Sequence, residues 1–97
     1  MAQGEARDLT VTDGLNGAGN AAAAIVTLTA TQQTASATYL TTWTTGTTRP
    51  ATSDLNTGAG RDQANGALVA WDELGRITAY NDRGSTHLIV DVNALLG

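Results

Sequence analysis

Ala24-Ile25-Val26-Thr27-Leu28-Thr29-Ala30-Thr31 repeats with a period of two. Ala24, Val26, Leu28 and Ala30 fall on one side, and Ile25, Thr27, Thr29 and Thr31 on the other. Four alanines stand at 21–24, and alanine favours helices. A helix, however, would bring apolar residues together every three or four positions and would scatter this set around its surface. A row of threonines opposite a row of aliphatics describes a half-buried strand, where branched Cβ atoms fit the pleat.

The same alternation recurs outward from this segment. Leu9 and Val11 flank Thr10 in a short first strand that ends at Asp13-Gly14. Ala37 to Thr44 reads as a strand with Tyr39, Thr41 and Trp43 on one side and Leu40 and Thr42 on the other. Ala67-Leu68-Val69-Ala70-Trp71 is uniformly apolar, the pattern of a central strand covered on both faces. Arg76 to Tyr80 and Thr86 to Val92 follow, the latter with Leu88, Val90 and Val92 facing one way and His87, Ile89 and Asp91 the other. Asp72-Glu73-Leu74-Gly75 and Asn81-Asp82-Arg83-Gly84 place glycine where a tight turn needs positive φ. Leu15 to Asn20 reads as a looser loop, and Gly46 to Arg61 as the longest irregular stretch, holding the single proline, Pro50. Short strands at regular spacing with no amphipathic helix predict an all-β domain. The expected form is an antiparallel β-sandwich (jelly-roll or Ig-like) or a compact β-barrel. Val26, Leu28, Val69, Leu88, Val90 and Val92 form its expected core.

The chain has 97 residues, enough for one modest core. With no cysteine and one histidine, thiolate and multi-histidine metal sites are excluded. The five cations are all arginine, so a Schiff-base lysine is excluded too. Against nine acids they leave a net charge of −4, opposite to the basic face that a nucleic-acid partner requires. No stretch approaches the ~20 apolar residues of a membrane span, and the polar N-terminus has no apolar signal region.

Few residues point to chemistry. Ser85, His87 and Asp91 are the elements of a triad, but on one strand they stand about 7 Å apart per two residues. A hydroxyl at that distance is not activated by an imidazole. Asp54, Asp62, Asp82 and Asp91 lack the spacing of a calcium loop. No cofactor is expected. Tyr39, Trp43, Trp71 and Tyr80 are the only aromatics and form a candidate glycan platform, although the core competes for them. An arginine such as Arg49 beside a buried loop carboxylate would pin the long loop. Residues 1–8 lack periodicity and an apolar anchor, so they read as an arm, mobile in free solution, before a single β domain at 9–97. Gln3, Glu5 and Arg7 on the arm, with Arg49 and Asp62 on the long loop, are the candidate contacts to a larger assembly.

Tyr39-Leu40-Thr41-Thr42-Trp43, Arg49-Pro50-Ala51-Thr52-Ser53-Asp54-Leu55-Asn56 and Gly84-Ser85-Thr86-His87 carry a resemblance. The chain resembles, over most of residues 9–93, a β-rich module of actinobacterial secreted and cell-surface proteins. Members usually follow a signal peptide, and a free-standing copy without one looks like an actinobacteriophage virion protein. The resemblance implies no catalytic residues. It implies a non-enzymatic capsid decoration (minor capsid) protein, made in the host cytoplasm and carried on the virion. Its partners would be the major capsid protein and copies of itself, with no nucleic acid and no membrane. The alternative is a cell-surface or tail-associated glycan-binding module.

Overall fold

The computed structural model describes residues 1–12, 23–50, 54–58 and 61–96. Among these residues seven strands follow one another: β1 (Ala6–Thr10), β2 (Ala23–Thr31), β3 (Thr38–Thr44), β4 (Leu55–Thr57), β5 (Gln63–Ala70), β6 (Arg76–Asn81) and β7 (His87–Leu96). They form a four-stranded sheet in the order β1-β6-β3-β4 and a three-stranded sheet in the order β5-β2-β7. Every pairing is antiparallel. The chain is an all-β sandwich of two open sheets, not a barrel.

The alternating segment becomes β2, the middle strand of the smaller sheet. Ala24, Val26, Leu28 and Ala30 are fully buried, and the opposite row is not. Leu40, Leu55, Val69, Ile77 and Ala79 complete the buried apolar set. Leu88, Val90 and Val92 point inward as the alternation of β7 predicts, but they stay half-buried, packed on the core from its margin. They line one side of a groove of about 400 Å³ between β1 and β7, with Leu9 and Val11 opposite. The sandwich is therefore closed by side chains along its middle and left open along this seam.

Both hairpin glycines adopt the expected backbone. Gly75 has φ 78° and Gly84 φ 60°, and a Cβ on either would collide with Thr12 or with Ala35. Other expectations shift. The first strand begins at Ala6, not Leu9, because its backbone pairs with β6 from Ala6↔Tyr80 to Thr10↔Arg76. The long irregular stretch contains β4, three residues that add to the edge of β3. The apolar 67–71 segment belongs to a longer strand that is not central: among the described residues β5 pairs only with β2. Its inward Val69 is buried, while outward Leu68 is 68% exposed. The last strand runs on to Leu96 through a bulge, since Val26 pairs with Val92 and Ile25 with Ala94, which leaves Asn93 as the extra residue. The expected strand end at Asp13-Gly14 and the loop at 15–20 lie outside the described residues, as do residues 51–53.

This division of inner from outer rows has a direct energetic consequence. Leu28→Ala should lower unfolding free energy by about 2–5 kcal/mol, the cost of a buried cavity. Leu68→Ala should change it by no more than about 0.5 kcal/mol. Urea denaturation of the two variants beside the parent chain measures both.

Candidate functional site

The two outer sheet faces differ sharply in chemistry. Register and alternation place Ala64, Gly66, Leu68 and Ala70 of β5 on the outer face of the smaller sheet. Ala23, Ile25, Thr27 and Thr29 of β2 and Ile89, Asp91, Ala94 and Leu96 of β7 share it. Five large apolar side chains are exposed among the described residues: Ile25, Leu68, Leu74, Ile89 and Leu96. All but Leu74, which sits in the β5–β6 turn, stand on this face. Asp91 is the single Asp, Glu or Arg on these three strands. Asn93 Nδ2 donates to Thr27 Oγ1 at 2.7 Å and satisfies the polar centre of the face. The face is apolar and nearly uncharged, unlike the opposite face of the sandwich.

The outer face of the larger sheet is aromatic and polar. Tyr39, Thr41 and Trp43 of β3 lie beside Thr78 and Tyr80 of β6. The rings of Tyr39 and Tyr80 are 6.2 Å apart and tilted by 47°. The Arg49 guanidinium sits 4.3 Å above the Tyr80 ring, in the range of a cation–π contact. Tyr80 Oη reaches Asp82 Oδ1 at 3.4 Å, and Thr78 Oγ1 donates to Asp8 at 2.8 Å. Three of the four platform aromatics thus share one face, half-buried, with Tyr39 and Tyr80 in ring contact. Trp71 does not join them; it follows β5 and packs against the core. The loop is pinned by a carboxylate, although not through arginine. Asp54 Oδ2 accepts from Thr42 N at 2.6 Å and Thr42 Oγ1 at 2.8 Å, while Arg49 is taken by Tyr80.

Of the remaining candidate contacts, Gln3 and Glu5 precede β1 and Arg7 lies in it, while Asp62 stands just before β5, which begins opposite the end of β2. The arm is not free of the domain. Met1 and Thr86 exchange two backbone hydrogen bonds, of 2.6 and 3.0 Å. Gly4 N donates to Asn81 O at 2.8 Å, and Gln3 Oε1 accepts from Gly84 N at 3.0 Å. Glu5 accepts from Ala2 N and from Arg7 Nε, each at 2.7 Å. Contrary to the expectation of an arm without an apolar anchor, Met1 packs partly buried against the core, and these backbone and side-chain hydrogen bonds hold the rest. The fully buried Asn81 organises it, its amide donating to Gly84 O at 2.8 Å and Ala2 O at 3.3 Å and its Oδ1 accepting from Thr38 Oγ1 at 3.0 Å.

His87 and Asp91 are exposed on the outer side of β7, and the Ser85 hydroxyl lies 3.4 Å from that of Thr34. No group of three or more His, Cys, Asp or Glu among the described residues could hold a metal ion. Comparison with protein-family models, curated proteins and solved structures finds no match to this chain.

Two carboxylates are held below the usual carboxylate range. Asp72 is lowered chiefly by its hydrogen bond from the Arg76 side chain, then by backbone N–H groups of Arg76 and Leu74. Glu5 is lowered by the Ala2 N–H and then by Arg7. A carboxylate depressed in the folded state stabilises the fold above its unfolded pKa, and that stability is lost as pH falls through the folded pKa. Thermal midpoints should hold at neutral pH and drop below the ordinary carboxylate range. Asp72→Asn should lower the midpoint at pH 7 and make the acid drop shallower, as thermal melts across pH will show. Deleting residues 1–5 removes the bonds to Asn81, Gly84 and Thr86. The truncated chain should melt several degrees lower, by about 4–8 °C for each kcal/mol lost.

Proposed function

We propose that the protein is a non-enzymatic structural component, a capsid decoration (minor capsid) protein of an actinobacterial phage. It would be made in the host cytoplasm and bound to the outside of the shell through the major capsid protein and copies of itself. The observation that carries this reading is the nearly uncharged outer face of β5-β2-β7, with Ile25, Leu68, Ile89 and Leu96 exposed on it. Such a face suits permanent coverage in a repeated assembly. The polar end that holds Gln3 and Glu5, with Arg7 beside it, is a second surface for shell contact. Gln3, Glu5 and Arg7 are already held by hydrogen bonds there, so contact would order little new chain.

A second reading, a glycan-binding module, is favoured by one observation: Tyr39, Trp43 and Tyr80 share a face, with Arg49 stacked on Tyr80. Two experiments separate the readings. Mixing the protein with shells assembled from an actinobacteriophage major capsid protein and sedimenting them should give saturable co-sedimentation at a fixed ratio. Titration of cell-wall oligosaccharides into a Trp71→Phe background, which isolates Trp43 fluorescence, should give no saturable change. No binding to shells together with a saturable quench would replace the first reading with the second.

A further inference from the structure

We infer that the outer face of β5-β2-β7 is the interface of a two-fold dimer, and that its occupant is a second copy of this chain. The inference rests on the reading of the protein as a self-associating structural component and names the surface that would do it. One feature selects the face: Ile25, Leu68, Ile89 and Leu96 stand exposed on it, and Asp91 is the single Asp, Glu or Arg on its three strands.

The occupant follows from the size pattern across the sheet. Each residue of β2 has one partner on β5 and one on β7, so the face consists of rows. Across Ala23 the row holds Ala70 and Leu96, and across Ile25 it holds Leu68 and Ala94. Across Thr27 it holds Gly66 and Asp91, and across Thr29 it holds Ala64 and Ile89. Every row pairs one small residue with one larger residue on opposite edges, and the bulge residue Asn93, bonded to Thr27, stands beside Ala94 on the same face. A two-fold axis lying along β2 in the plane of contact keeps each row in place and exchanges its edges. Residues of β5 then meet residues of β7 from the other copy, as an isologous interface requires.

Leu68 would sit over the partner's Ala94, Leu96 over the partner's Ala70, and Ile89 over the partner's Ala64. Gly66 would leave room for Asp91 to reach solvent at the rim. At one end Asp62, next to Gln63, and His87, opposite Thr31, flank the face from its two edges, so the same rotation brings acid to imidazole. Sheets pack face to face with strands within about 30° of each other, which such an axis allows. Three strands about 4.8 Å apart and eight residues deep give a face on the order of 14 by 27 Å. With its rim, such a face approaches the lower bound of about 1,000 Å² total for a specific interface. The expected dimer therefore has a small interface, and its test needs high protein concentration.

Sedimentation equilibrium on the purified full chain, from micromolar to millimolar, tests this. A monomer–dimer equilibrium supports the inference; a monomer throughout overturns it. Leu68→Glu should weaken the dimer at least about a hundredfold, because it forces a carboxylate into an apolar contact. Leu74→Glu, on the turn, should leave it unchanged. Unaltered melting of Leu68→Glu would verify that its fold is intact. Leu68→Ala and Ala94→Leu should each weaken dimerisation, and the double variant should restore it, since the row again pairs large with small. Strengthening by Ala94→Leu alone would mean indiscriminate apolar adhesion and would overturn the arrangement. A monomer that still saturates shells would sink the dimer and spare the shell reading, whereas a dimer that ignores shells would do the reverse.

Discussion

Strand β2 is hydrogen-bonded along both edges and has its inner row wholly buried, and the rest of the sandwich is arranged around it. Each buried Val or Leu of that row contributes about 1.5–3 kcal/mol by leaving water. Because side chains alternate strictly, a shift of one residue would put threonines in the core and aliphatics outside. The inner row therefore sets the register of β5 and β7 together. It also obliges the opposite row, Ala23, Ile25, Thr27 and Thr29, to form the centre of an outer face.

That face has unusual economy. The chain has no phenylalanine and only four aromatics, so small residues occupy much of the surface as well as much of the core. On the larger sheet the surface is finished by Tyr39, Tyr80 and Trp43, and Thr41 and Thr78 beneath them are almost fully buried. On the smaller sheet no aromatic closes the surface, and Leu68, Ile25, Ile89 and Leu96 stand up between alanines and Gly66. One face is thus completed within the chain, and the other presents a relief that a complementary surface can fill.

The connections depend on a few polar side chains with specific partners. Asp72 gathers the Leu74 and Arg76 N–H groups and the Arg76 side chain in one turn. Asp54 ties the approach to β4 onto Thr42, and Asn81 holds the N-terminal segment against the β6–β7 turn. Gln33 does similar work where it donates to Thr57 Oγ1 and Arg61 O. Composition foretells acids and amides in turns, because such side chains can hold backbone N–H groups. It does not foretell which backbone each one meets, since those partners lie as far apart in the chain as Ala2 and Asn81.

Alternation and turn chemistry alone determined that the chain is all-β, which residues of β2 and β7 point inward, and where glycine must take positive φ. These are local properties, set by the two-residue period of a strand and the sterics of a turn. Only the tertiary structure decided which strands are edges, because pairing joins segments that are remote in sequence. The apolar run at 67–71 reads as central and lies at an edge, and residues 1–5, which have no period, find their partners in the remote Asn81, Gly84 and Thr86. The size pattern of the outer face was equally hidden. Leu68 and Ala94 share a row only because both pair with Ile25, and nothing in a linear sequence places them side by side.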